Sequence, residues 1–513
     1  MTDTPFRSQP AARVPTGVAG LDTMLHGGLL PGSTHLVMGA PGSGKTTLAN
    51  QLCFHHVRAG GRAVYVTLLA ESHSRLFTHV QSYTFYDPAA VGTTLQYFSG
   101  YAPLQQAGLP GFTTWLRQVI KQQQATVLVL DGFDTVKATA DSALALKHFL
   151  DELNTLAELA TCTTLLVSQP SAQETTPELT MVDGIITLTD APVDVRRVRE
   201  LEVTKLRGSA YLRGRHLFEI TNAGLTVYPR TEAVLLPLPD VPQTPPERLA
   251  VGIARLDTML NGGVGAASTT LLVGSPGSGK TLLGLHFLAE GARLDQPSLY
   301  FGMFERPPSL ITKAQRAGIP LSEALAAGTL EIMWQSPREA ILDVYAERLL
   351  AVVHQRHIQR VFIDGVDGFR LAAYAERVPA FLLALTDELC ALGVTTLLSS
   401  ELRQLVSPAL ELPLTGLSAL VDNVMLLRYV ELRSQLYRLI SILKVRDSAY
   451  DPAIRAFTIG HDGITVADTF ASAKAILTGV ARPMHTPPPA TRQHRRRRNT
   501  GNPYEPDDFG GGG

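Results

Sequence analysis

Residues 39–46 read GAPGSGKT, and residues 274–281 read GSPGSGKT. Each stretch follows a short apolar run, THLVMG (34–39) in one case and TTLLVG (269–274) in the other, and each leads into a helical pattern. GxxxxGK[ST] in that context is the phosphate-binding loop. Its glycines let backbone N–H groups turn inward around a β-phosphate, its lysine reaches the β- and γ-phosphates, and its hydroxyl residue ligates magnesium. The pattern assigns Gly39, Gly42, Ser43, Gly44, Lys45, Thr46 and Thr47 to one nucleotide site. Gly274, Gly277, Ser278, Gly279, Lys280, Thr281 and Leu282 form the other. ATP and Mg2+ are the expected ligands.

The repeat extends beyond the loops. TGVAGLDTMLHGGLLPGSTHLVMGAPGSGKTTL at 16–48 aligns with VGIARLDTMLNGGVGAASTTLLVGSPGSGKTLL at 251–283, so the chain is an internal duplication. Between the copies, LPLPDVPQTPPER carries five prolines, which favour an extended connector. The expected organisation is an N-terminal arm (1–13), a first domain (14–235), a proline-rich linker (236–248), a second domain (249–481) and a tail (482–513). In the first copy RAVYVTLL (62–69), ATVLVLDG (125–132) and CTTLLVSQ (162–169) join THLVMG as apolar, β-branched runs separated by helical patterns. PSLYFGMF (297–304), QRVFIDG (359–365) and TTLLSS (395–400) repeat the arrangement. Such runs suit strands buried on both faces, and the expected fold class is α/β, two tandem domains each built on a mainly parallel sheet flanked by helices.

Composition narrows the function classes. A chain of 513 residues with 45% hydrophobic and 18% charged residues is that of a packed globular protein. With 45 basic against 46 acidic residues, no global field would hold a nucleic-acid backbone or an anionic membrane. Cys53, Cys162 and Cys390 are far apart and form no CxxC pair, so buried thiols are expected rather than disulfides or zinc. The sequence shows no signal-peptide core and no run of about 18 apolar residues, from which a cytoplasmic, non-membrane protein is expected. The tail, rich in Pro, Arg and Gly, is expected to be disordered. Arg492 and the run Arg495–Arg498 within it would suit an acidic or phosphorylated partner or a nucleic acid, or serve only as a solvated basic segment.

A nucleotide triphosphatase also needs a carboxylate at the end of a neighbouring strand to hold magnesium through its water shell. VLVLDG supplies Asp131 and RVFIDG supplies Asp364. A further group must orient or deprotonate the attacking water. The candidates are acids after the second strand of each copy, Glu71 in VTLLAESHS and Glu305 in FGMFERPPS.

These residues carry a resemblance. Both halves look like RecA-type P-loop domains, and the tandem is similar to the KaiC family of bacterial clock ATPases and autokinases. The similarity covers roughly residues 14–470, including LEVTKLRGSAYLRGRHLFEITNAGLTVYP at 201–229 and VDNVMLLRYVELRSQLYRLISILKVRDSAYDPAIRAFTI at 421–459. It implies an ATP-dependent double-ring homohexamer with each ATP between protomers. It also implies that Lys205 and Arg207, and likewise Lys444 and Arg446, act in trans on the neighbour's phosphates, and that regulatory partners act at the C-terminal tail.

Three departures qualify the resemblance. The family has two adjacent glutamates after the second strand, and Phe304 replaces the first of them, leaving Glu305. The family's serine–threonine phosphoacceptor pair corresponds to Ser418 and Ala419, so Ser418 is either a lone acceptor or a structural hydroxyl. Asp447 replaces a glycine in VRDSAYD. The reading is therefore a KaiC-like signalling or timing ATPase with a candidate serine autokinase activity. Two alternatives stay open. One is a RecA-like DNA recombination or repair motor, for which the stretch 398–416 is long enough to hold a pore loop; the other is an ATP-gated scaffold without kinase activity.

Overall fold

The computed structural model describes residues 12–68, 78–170, 176–193, 195–235, 247–337, 341–372, 374–402, 420–432, 435–446 and 448–468. Glu71, Ser418, Ala419, Asp447, the linker over 236–246 and the tail with Arg492 and Arg495–Arg498 lie outside these residues, as does most of the stretch 398–416.

The chain folds into two α/β domains of RecA-like form. The strands of domain 1 are β1 (Thr34–Gly39), β2 (Ala63–Thr67), β3 (Leu95–Ser99), β4 (Val127–Asp131), β5 (Thr163–Ser168), β6 (Gly184–Val193), β7 (Arg196–Leu206), β8 (Arg215–Thr221) and β9 (Gly224–Tyr228). They form one nine-stranded sheet in the order β3-β2-β4-β5-β1-β6-β7-β8-β9. Pairing is parallel from β3 to β6 and antiparallel from β6 to β9. After a two-stranded ribbon, β10 (Arg248–Leu249) with β11 (Val264–Gly265), domain 2 repeats the plan. Its strands are β12 (Thr269–Gly274), β13 (Ser298–Gly302), β14 (Leu330–Trp334), β15 (Arg360–Asp364), β16 (Thr395–Glu401), β17 (Asn423–Leu432), β18 (Gln435–Val445), β19 (Arg455–Gly460) and β20 (Gly463–Val466). They run in the order β14-β13-β15-β16-β12-β17-β18-β19-β20.

Continuous apolar strands follow from a sheet covered on both faces, because successive side chains point to opposite sides. In domain 1, Val37, Tyr65, Val129 and Val167 enter one core, which also takes Leu48, Leu52 and Phe54 of the helix Lys45–Arg58. Leu36, Val64, Val66, Leu128 and Leu130 enter the other, against the helices Tyr101–Gln123 and Ala143–Ala160. Domain 2 divides Leu272, Tyr300 and Phe362 from Leu271, Phe301 and Ile363 in the same manner. Each such side chain, fully buried, contributes about 1.5–3 kcal/mol relative to exposure. Parallel strands also align their carboxyl ends on one edge, where α/β sheets bind ligands. Gly39, Thr67, Asp131 and Ser168 end strands on that edge in domain 1, and Gly274, Gly302, Asp364 and Glu401 do so in domain 2.

The domains meet through a polar cluster. The short helix Thr231–Val234 at the end of domain 1 lies against the helices Leu342–Arg356 and Val378–Ala391 of domain 2. Asp343 accepts from Thr231 N–H at 2.8 Å and from its hydroxyl at 3.0 Å. Arg377 donates to Asp343 at 2.9 Å and to both oxygens of Glu232 at 2.9 and 3.0 Å.

Candidate nucleotide-binding sites

The two phosphate loops take the backbone that their glycines permit. Gly42 and Gly44 sit at φ 79° and 102°, and Gly277 and Gly279 at φ 72° and 107°. These are left-handed conformations in which a Cβ would be strained. Gly44 and Gly279 are the N-caps of the helices Lys45–Arg58 and Lys280–Arg293, so the helix amino ends face the carboxyl edge of each sheet. Unpaired N–H groups and the helix dipole make that end an anion site. Ser43 and Ser278 bury hydroxyls that have no hydrogen-bond partner among the described residues. Thr47 shares a hydrogen bond with Tyr83 at 3.2 Å, and Leu282 lines the domain 2 cleft.

The lysines are held by their own loops. Lys45 Nζ donates to the carbonyls of Gly39 at 2.7 Å and Ala40 at 2.9 Å. Lys280 Nζ donates to Gly274 at 2.8 Å and Ser275 at 3.0 Å. Burial lowers the pKa of Lys45, opposed by Asp131 and Asp134, and lowers that of Lys280, opposed by Glu401, Asp364 and Asp367. Desolvation disfavours the ammonium, and the nearby acids favour it.

Each strand-end acid meets the loop's hydroxyl residue. Thr46 Oγ1 donates to Asp131 Oδ2 at 3.1 Å, and Thr281 Oγ1 to Asp364 Oδ2 at 2.9 Å. Burial raises the pKa of Asp131, while the hydrogen bonds from Tyr65 and Thr46 and the charge of Lys45 pull it back. One hydroxyl and one carboxylate form an all-oxygen pair that fits a hard cation taking its remaining ligands from water and phosphate.

In domain 2 the site opens into a cavity of about 670 Å³ that brings together Lys280, Thr281, Glu305 and Asp364. Glu305 Oε2 is ion-paired with Lys313 at 2.5 Å, and its Oε1 accepts from Ser309 at 3.1 Å. Phe304, 59% exposed, stands beside Gly365 and Gly368 at the same mouth.

The basic pairs lie elsewhere in their own domains. Lys205 stands opposite Ile185 at the start of β6, beside His35 and Leu36 of β1, whereas the phosphate loop leaves β1 after Gly39. Lys205 Nζ donates to the carbonyls of Leu179 and Thr180, and Arg207 to Thr180. Lys444 is likewise opposite Val424 at the start of β17 and donates to Val421, while Arg446 pairs with Asp422 at 3.0 Å. Each pair is therefore at the sheet edge away from its own loop.

Sequence reasoning missed several contributors. Tyr65 and Tyr300 donate hydroxyls to Asp131 and Asp364 at 2.5 and 3.0 Å. Ser399 Oγ donates to Asp364 Oδ1 at 2.6 Å. Tyr429 holds the Gly277 carbonyl at 2.6 Å, and Arg438, stacked 5.5 Å from the Tyr429 ring centre, lines the cavity. The adjacent arginine–tyrosine pairs of RYVELRSQLYR, Arg428 with Tyr429 and Tyr437 with Arg438, are the signal that could have suggested the last two.

Comparison with known proteins gives the same grouping. The chain is 25% identical over 480 residues to the circadian clock oscillator protein KaiC of Picosynechococcus sp., covering 91% of this chain and 92% of that protein. It is 25% identical over 485 residues to the protein of the same name from Rippkaea orientalis, covering 92% of each. For the one from Parathermosynechococcus lividus the identity is 26% over 479 residues, covering 90% of this chain and 87% of that protein. The KaiC ATPase family pattern matches twice, at residues 14–232 and 249–470, and with two such sites on two such sheets the chain belongs to the KaiC ATPase family.

Proposed function

We propose that the chain is a Mg2+-dependent ATPase with one site per domain, working as a homohexamer in the cytoplasm and acting as a signalling or timing device. The observation that carries this reading is the repeated contact of a phosphate-loop threonine with a strand-end aspartate, Thr46 with Asp131 and Thr281 with Asp364. In each site the lysine would exchange its two loop carbonyls for the β- and γ-phosphates, and the helix amino end would take the remaining phosphate charge. Thr46 with Asp131, and Thr281 with Asp364, would hold the magnesium ion, whose charge neutralises and orients the phosphates. Glu71 and Glu305 are the proposed water-orienting acids. Lys205 with Arg207, and Lys444 with Arg446, would supply cations to the neighbouring protomer's phosphates, where they offset charge developing on the transferred group.

Ser418 is the proposed acceptor of an autokinase step in the second ring, with its hydroxyl attacking the γ-phosphorus and ADP leaving. One observation favours a second reading. The ion pair of Glu305 with Lys313 engages the acid that would act on water, which suits an ATP-gated scaffold with slow turnover.

The test is ATP binding and turnover in Lys45→Ala and Lys280→Ala chains, with intact-mass spectrometry after incubation with Mg·ATP. Each substitution is expected to abolish nucleotide binding in its own domain only, and two filled sites in either variant contradict the assignment. A phosphate on Ser418 in the wild type that is lost in Glu305→Gln supports the autokinase; unmodified wild-type protein removes it and leaves the ATPase.

A further inference from the structure

β16 lies between the Asp364 strand and the phosphate-loop strand, and it ends on Glu401, which stands opposite Gly274 of β12. The Glu401 side chain is 59% exposed, with Oε1 3.9 Å from Lys280 Nζ, and it faces the cavity that contains Thr281 and Asp364. Its backbone is fixed: the N–H donates to Asp367 Oδ2 at 2.7 Å, and Ser400 Oγ donates to the same oxygen at 3.1 Å. The strand end is clamped, and the carboxylate above it faces Lys280 across the cavity.

The same clamp identifies the counterpart in domain 1. Gln169 N–H donates to Asp134 Oδ2 at 2.8 Å, and Ser168 Oγ donates to Asp134 Oδ1 at 2.8 Å. An amide cannot act as a base at this position, so only domain 2 has a proton acceptor there. The other glutamate of the domain 2 cleft, Glu305, has both oxygens engaged by Lys313 and Ser309.

We propose that Glu401 is a second catalytic carboxylate of domain 2, the group that takes the proton from the water attacking the γ-phosphorus. This rests on the hydrolytic reading of that site. Lys280, on reaching the β- and γ-phosphates, brings the γ-phosphate beside the acid it already faces. The water oxygen bonds to the γ-phosphorus, and the bond from that phosphorus to the β,γ-bridging oxygen breaks. ADP leaves with the electron pair, its charge met by Lys280. The proton taken by Glu401 then passes to solvent, restoring the carboxylate with ADP and inorganic phosphate as products. Glu305 is left to position the water from the opposite side of the cleft.

The experiment uses the full chain carrying Lys45→Ala, so that turnover comes from domain 2, with Mg·ATP binding measured in parallel. Glu401→Gln is expected to lower kcat by roughly 100-fold or more, as loss of a general base does, with nucleotide affinity retained and partial recovery in Glu401→Asp. Turnover that survives Glu401→Gln unchanged overturns the proposal alone. A higher kcat also overturns it, since the acid would then merely compete with phosphate for Lys280. If the Lys45→Ala chain binds Mg·ATP but does not hydrolyse it, the hydrolytic reading of domain 2 falls and the proposal falls with it.

Discussion

Asp364 shows how one strand-end carboxylate is held in place. Its Oδ2 accepts hydroxyls from Thr281 and Tyr300, and its Oδ1 accepts one from Ser399. The phenol stays a neutral donor, because burial and the facing carboxylate push its pKa upward. Hydrogen bonds to a charged group are worth about 1.5–3 kcal/mol, so Tyr300→Phe is expected to lower the unfolding free energy of domain 2 by that amount in a urea titration. No loss would mean that Thr281 and Ser399 satisfy the acid unaided. The aspartates were legible because each ends an apolar run. The tyrosines were not, since an aromatic residue inside a strand reads as core, and these two do occupy the core with only the hydroxyl emerging at the site.

Among the elements, the central strands were the most legible. THLVMG and TTLLVG are β1 and β12 to the residue, and RAVYVTLL contains the shorter β2, Ala63–Thr67. β3 and β14 escaped notice because LQYFS and LEIMW are largely half-buried and lack the uninterrupted apolar signature. Glu401 escaped because it lies in a stretch that reads as loop and carries no motif. One strand residue makes domain 1 sensitive to acid. His35 of β1 is fully buried, with Nε2 2.6 Å from Ser33 Oγ and Nδ1 without a partner among the described residues, and burial lowers its pKa to about 4. A histidine depressed from 6.5 binds its proton in the unfolded chain first, so stability is intact above pH 6.5 and is lost as pH falls toward 4. The expected loss is on the order of 3 kcal/mol. Unfolding followed between pH 7.5 and 4.5 should show this slope, and His35→Leu should reduce it, leaving the share of His216 of β8, whose pKa burial likewise lowers to about 4; an unchanged slope assigns the sensitivity to other groups.

On the scale of the whole molecule, Arg377 ties the domains together. Burial would lower its pKa, and Glu232 and Asp343 together override that and raise it, so the guanidinium stays charged between its two acids. No sequence signal links Thr231, Asp343 and Arg377, since only the fold brings them together. Removing one partner from a buried ion pair costs about 3–5 kcal/mol because the remaining charges are left uncompensated. Arg377→Ala should therefore separate the unfolding of the two domains into distinct calorimetric transitions; a single transition at an unchanged temperature would show that the cluster does not couple them.

The placement of the basic pairs on the sheet edge away from their own phosphate loops has a consequence for assembly. Under the trans role proposed for Lys205, Arg207, Lys444 and Arg446, a protomer gives cations from one flank and receives them at the other. Two unlike surfaces then meet at every contact, which is a head-to-tail arrangement rather than a two-fold one. Such contacts cannot end in a dimer with both surfaces satisfied: they either close on themselves or continue as a filament, and any open chain of protomers keeps one uncompleted nucleotide site per domain at its end.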